Sequence, residues 1–228
     1  MIKLIATLSI VSSLSIASNA SASPSTTLFV PSGYGAGDGT VYINADYQSK
    51  TRGTNKADGE IGVGLGLGDA NKGVGIEVNY TINSLSGGGG GTTGDGAVSL
   101  KLHRRVSDDT SVAVGYNQFA KIGTSDYPSN SIYGSVTKVF ATKDKLSDTF
   151  SRVAVTAGYG GGVFNNRPFG AVAVRVAKPL SLIAEYTGQD VAAGVSFAVN
   201  DNLTVNVGAR DLDRGARFVA GASYGFTF

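Results

Sequence analysis

Residues 214–228 read RGARFVAGASYGFTF. Counting back by twos gives Phe228, Phe226, Tyr224, Ala222, Ala220 and Phe218, with Thr227, Gly225, Ser223, Gly221, Val219 and Arg217 between them. Successive side chains of a strand point to opposite faces, so this period places aromatic and aliphatic groups on one face and mostly small or polar groups on the other. The apolar face runs to the last residue, and no helical stretch follows to cover it. An exposed face of this kind needs a partner layer or an apolar solvent, and the rest of the chain has to say which.

The same alternation begins at Gly39 and does not stop. Val41, Ile43, Ala45 and Tyr47 oppose Tyr42, Asn44, Asp46 and Gln48; Ile61 to Leu67 oppose Glu60 and three glycines; Val74 to Ile82 oppose Gly75, Glu77, Asn79 and Thr81. Val98, Leu100 and Leu102 oppose Ser99, Lys101, His103 and Arg105, and Val112, Val114 and Tyr116 follow. Residues 131–141 are irregular, because Ile132, Val136 and Phe140 share a face with Lys138, which must snorkel or mark a bulge. Five further segments, 153–159, 172–176, 180–186, 191–199 and 203–209, recover the pattern before the terminal strand. The expected fold is all-β: a single closed antiparallel transmembrane β-barrel of about 12 strands over residues 39–228. After residue 22 no run of eighteen apolar residues occurs, and closed sheets are the other structure that satisfies every backbone group in lipid. Alternating strands average out in hydropathy, which agrees with a mean hydropathy of +0.06.

The terminal strand, through Tyr224, Phe226 and Phe228, resembles the C-terminal assembly signal of bacterial outer-membrane β-barrels. The resemblance implies a porin-like barrel in the cell outer membrane, with outer-membrane lipid and the barrel-assembly machinery as partners. The other end of the chain agrees: Lys3, an apolar run from Leu4 to Ile16 and Ala20-Ser21-Ala22 make a secretory signal peptide over residues 1–22. Residues 23–38, SPSTTLFVPSGYGAGD, read as an N-terminal periplasmic lead-in, with a short plug as the alternative and an extra strand also possible. The chain has no cysteine, a net charge of +2 and no basic cluster, so neither a disulfide framework nor a nucleic-acid partner is expected.

Two regularities favour closure in a membrane over a soluble sandwich. Tight turns at 68–71, 107–110, 177–179 and 200–202 alternate with longer links at 49–58, 84–95, 123–130 and 160–168, the asymmetry of periplasmic turns and external loops. The 142–149 link is longer than this rule wants, and the links near Gln189 and Asp213 are shorter. Tyr47, Tyr80, Tyr116, Tyr159 and Tyr186 each close the apolar face of an alternate strand next to a loop, as an aromatic girdle requires.

No catalytic constellation can be built, so no enzyme activity is expected. The single histidine, His103, stands beside Lys101 and Arg105 without a plain Ser or Asp partner. No metal or cofactor is expected either: Asp38, Asp58 and Asp95 match no cage, and the glycines at 33–35 and 62–64 precede no helix. The informative set is the expected lumen lining. Asp46, Glu60, Glu77 and Glu185 supply four acids; Lys101, Arg105, Arg152, Arg175, Arg210 and Arg217 supply six bases, with His103 among them. Ring closure would let Arg210 and Arg217 face Asp46 and Glu60. This set acts either as an internal ion-pair prop or as a transverse field passing small polar solutes, with a mild preference for anions. The segments Glu185-Tyr186-Thr187-Gly188-Gln189-Asp190 with Gly194-Val195-Ser196-Phe197, and Phe29 to Gly35, are similar to hypothetical cyanobacterial outer-membrane proteins and to YjbH-like barrels. That similarity implies a polysaccharide-export role, although YjbH-like proteins are much longer.

Overall fold

The computed structural model describes residues 23–51, 55–82, 84–86, 95–123, 130–141 and 151–228. The signal-peptide reading of residues 1–22 lies outside these, as do most of the glycine-rich 84–95 link and the 142–149 link. Twelve strands follow in order: β1 (Thr40–Gln48), β2 (Asp58–Leu67), β3 (Gly75–Ile82), β4 (Gly96–Ser107), β5 (Thr110–Ile122), β6 (Ser131–Ala141), β7 (Arg152–Gly160), β8 (Arg167–Ala177), β9 (Leu180–Tyr186), β10 (Val191–Ala198), β11 (Leu203–Arg210) and β12 (Arg217–Thr227). Each pairs antiparallel with its sequence neighbours, and β12 returns to β1, closing the ring. The seam runs from Thr40 opposite Thr227 to Gln48 opposite Val219, so the terminal strand with its aromatics is one side of the closure.

The faces sort as the period of two requires. Ile43, Val63, Val114, Ile132, Val172, Phe197 and Phe226 are 43 % to 61 % exposed on the outside, whereas Asn44, Glu60, Lys101, Thr137, Glu185, Ser196 and Arg217 are buried inside. A sandwich would bury the first set; a ring whose outer wall is this apolar is built for hydrocarbon. Tyr224 and Phe226 sit on that wall opposite Ile43 and Val41 across the seam, and Phe228 follows just beyond it. Glycines on the inner face accommodate rings: a side chain at Gly64 would meet the Tyr42 ring, and one at Gly115 the Tyr133 ring.

The irregular β6 has a simple explanation. It contains no bulge in its pairing with β5 or β7, and Lys138 faces outward with Val136 and Phe140. The Lys138 ammonium reaches Asp109 in the β4–β5 turn at 3.1 Å and stands 5.6 Å from the Phe140 ring centre. The snorkelling alternative is therefore the one realised, at the end of the barrel carrying the short turns. A bulge does occur in β4–β5, where Gln118 takes a positive φ of 54° and donates its backbone N–H to Ser99 Oγ.

Hydrogen bonds from Ser107 and Thr110, then the Lys138 interaction, hold the Asp109 carboxyl below the usual carboxylate range. A depressed carboxylate pKa contributes stability that is complete above its unfolded value, about 4, and is lost as pH falls through the folded one. The unfolding midpoints of wild type and Asp109→Asn should therefore differ most at neutral pH and draw together progressively as pH falls below about 4, measured by denaturant titration in vesicles. In the same assay Val114→Arg, in the middle of the outer wall, should cost about 2–4 kcal/mol. An effect no larger than that of Val114→Ala would deny the wall its lipid contact.

Candidate functional site: an occupied lumen

A twelve-stranded ring encloses more space than inward side chains fill, since about eight strands leave just enough for side chains and sixteen or more leave a channel. Here the remainder is taken by residues 24–36, which thread the lumen as an extended loop. The segment read as a periplasmic lead-in or a short plug thus lies with residues 24–36 against the inner face of the ring. Ser25 donates its N–H to Ser196 Oγ near the short-turn end of β10. Leu28 and Phe29 lie near the opposite, long-loop end against Glu185, and the chain then descends past Thr137 to Ala36 beside Glu77 and His103.

The wall grips the main chain of this loop. Glu185 accepts the backbone N–H groups of Leu28 and Phe29, the latter at 2.8 Å. Glu77 accepts Ala36 N–H at 2.8 Å and the Tyr42 hydroxyl at 2.8 Å. Thr137 accepts Gly33 N–H at 2.9 Å, Lys101 donates to the Tyr34 carbonyl, and His103 Nε2 lies 3.2 Å from the Ala36 carbonyl. An extended segment has no secondary structure to satisfy its own amides, so each buried N–H needs such a partner. Gly33 and Gly35 permit the contact: an added Cβ would lie 2.0 Å from the Ser111 carbonyl oxygen or 2.4 Å from the His103 ring. Apolar contacts complete the seat, Leu28 and Phe29 against Ile183, Ala173 and Val219, and Val30 against Tyr133, Phe164 and Phe169.

Each residue expected to line the lumen can now be placed. Glu60, Glu77, Lys101, His103, Glu185, Arg210 and Arg217 are buried inside the ring, and Asp46 is half-buried over Gly221. Arg105 is turned to the β4–β5 turn, donating to the Ser107 and Asp108 carbonyls and to Asn71 Oδ1. Arg152 is exposed and Arg175 half-buried at the short-turn end. The two loop-end arginines take acids for which sequence reasoning had no role. Arg210 meets Asp190 at 3.0 Å with both side chains buried, and Arg217 meets Asp211 at 2.6 Å. Arg210 also stacks over the Phe29 ring at 5.0 Å, so the ion pair forms part of the seat of the loop.

The five tyrosines stand at the long-loop end of alternate strands. Among the described residues three of the hydroxyls are hydrogen-bonded: Tyr159 donates to the Asn166 carbonyl at 2.8 Å, Tyr186 to the Gly188 carbonyl at 3.1 Å, and Tyr116 accepts from Asn130 at 2.8 Å. Asp58 accepts from Ser84 and Ser86 and thereby ties two loop-end links together. Asp38 accepts Gly68 N–H at the opposite end. Among the described residues no group of three or more possible metal ligands occurs.

A closed, twelve-stranded antiparallel barrel with an apolar outside and a charged inside is a porin-like barrel, and comparison with solved structures agrees at the level of fold. The chain is similar to a KdgM porin, at 14 % identity and a TM-score of 0.51, over 82 % of this chain and 99 % of that one. A KdgM porin in complex with disordered oligogalacturonate gives 15 % identity, the same score and the same coverage. The Acinetobacter baumannii outer membrane protein Omp33 matches at 9 % identity and a TM-score of 0.47, over 82 % and 97 % of the two chains. No family model and no curated protein sequence matches.

Hydrogen bonds to a charged acceptor contribute about 1.5–3 kcal/mol each. Glu185→Gln should therefore speed hydrogen exchange at the Leu28 and Phe29 amides by about tenfold or more while strand amides stay protected. Unchanged exchange at those two amides would show that the apolar seat alone holds the loop.

Proposed function

We propose that the protein is an outer-membrane channel for small polar or anionic solutes, shut in this conformation by residues 24–36. The observation that carries this reading is the lumen itself: an inner wall of buried polar and charged side chains, fastened to a loop by hydrogen bonds and packing. The short-turn end is the periplasmic mouth in this reading, the five tyrosines form the outer girdle, and Tyr224, Phe226 and Phe228 present the assembly signal. No enzymatic role is proposed. The two segments similar to YjbH-like barrels meet at Glu185, which holds Phe29, and at Arg210, which joins Asp190 to Phe29. That contact gives the two segments a structural role in seating the loop.

The absence of cysteine makes a lock easy to build. Ser25→Cys with Ser196→Cys would tether the loop where its N–H meets Ser196 Oγ at 2.8 Å. In planar bilayers, deletion of residues 24–36 should give discrete conductance steps, and the oxidised lock should give none until reductant is added. No steps in the deletion variant would remove the channel reading. Equal steps in wild type, lock and deletion would keep the channel but deny the loop its blocking role.

A further inference from the structure

The cations of the lumen are not equivalent. Arg210 and Arg217 have buried carboxylate partners, Lys101 holds the Tyr34 carbonyl, and Lys138 holds Asp109 on the outer side. Arg152 and Arg175 differ. They are directly opposite each other across the β7–β8 pair. They share the inner face with Ala154, Thr156 and Ala173, all buried in the ring. Like charges directly opposite on one face destabilise a sheet, and such pairs are normally relieved by a counter-ion. Among the described residues, neither guanidinium has a carboxylate within ion-pair distance or a hydrogen-bond acceptor.

Two further groups gather at the same end. Arg105 spends its guanidinium only on neutral acceptors, the Ser107 and Asp108 carbonyls and Asn71 Oδ1, so its charge is not neutralised there. The Tyr34 hydroxyl projects from the lumenal loop to the same turn, 3.5 Å from the Asp109 carbonyl. Burial raises the Tyr34 phenol above its ordinary value; a Ser111 hydrogen bond and the nearby charge of Arg105 act against that rise, the Asp109 carboxylate adds to it, and Arg152 again opposes it. These interactions place the hydroxyl, Arg105 and Arg152 in one neighbourhood.

We propose that the short-turn mouth of the lumen is a docking site for a small polyanion bearing phosphate or carboxylate groups, clamped between Arg152 and Arg175 with Arg105 and the Tyr34 hydroxyl at its rim. Guanidinium forks fit both oxyanion types in bidentate fashion, and two forks side by side favour a ligand with at least two charges. Both side chains lie on the inner face, away from the lipid-facing wall, so the source argued for is a soluble anion. The site gives a place to the anion preference of the channel reading, but occupancy does not require that anything pass, so the two can fail separately.

The test is titration of the refolded full barrel in detergent with inorganic pyrophosphate, followed by calorimetry. Arg152→Gln/Arg175→Gln should weaken binding by about tenfold or more, and single Arg→Lys changes, which keep charge and lose the fork, should fall between. Arg104→Gln, which removes a charge from the outer face at the position next to the inward His103, should leave binding unchanged. Should the glutamine pair fail to fold, the lysine variants still decide. No binding by wild type, or equal affinity in wild type and both lysine variants together with Arg105→Lys, would overturn the site. Binding without any conductance in the deletion variant would uphold the site and remove only the channel.

Discussion

The structure depends on one constraint: every backbone amide on the wall must find a partner within the sheet, because the wall faces a medium that offers none. The seam between β1 and β12 satisfies it, and everything else follows from the size of ring that results. Twelve strands tilt and stagger into a cylinder whose bore exceeds what inward Tyr42, Tyr133 and Phe169 occupy. A second constraint of the same kind then operates inside. The loop that fills the bore is itself extended backbone, and its amides must be met by Glu185, Thr137, Glu77 and Ser196.

Charge in the lumen therefore serves two separate purposes. At the long-loop end, Arg210 with Asp190 and Arg217 with Asp211 are buried pairs, and removing one partner of such a pair leaves an uncompensated charge that is costly. Reversing Arg210 and Arg217 would set carboxylates against carboxylates in a buried site. At the short-turn end, Arg105, Arg152 and Arg175 form no ion pair with a carboxylate among the described residues. In the proposed channel, a field that acts on solutes belongs at that end.

The strands were legible because alternation is strict and each strand carries its own copy of the signal. Val63 faces lipid for the same reason that Gly62 and Gly64 face inward, and the period of two is enough to say so. The Lys138 exception was legible as a choice between snorkelling and a bulge, and needed only the position of Asp109 to settle. The seat of the loop was not legible. Glu185 binds backbone N–H groups, which every residue carries, so no side-chain pattern in Leu28-Phe29-Val30 could announce the pairing. Asp190 and Asp211 were passed over because they lie in short links, where acids ordinarily cap turns. The only trace was the pair of glycines at 33 and 35, which spacing alone could not distinguish from flexibility.

Ser25 and Gly39 both lie toward the short-turn end, while Val30 packs near the opposite rim. The segment is thus a hairpin-shaped cork whose two legs leave through one aperture. Among the described residues no segment runs through the cylinder from end to end, so the cork can be seated after the staves have joined and drawn without parting them. Its extraction would leave the ring intact, at the expense of uncovering the carboxylates that held it.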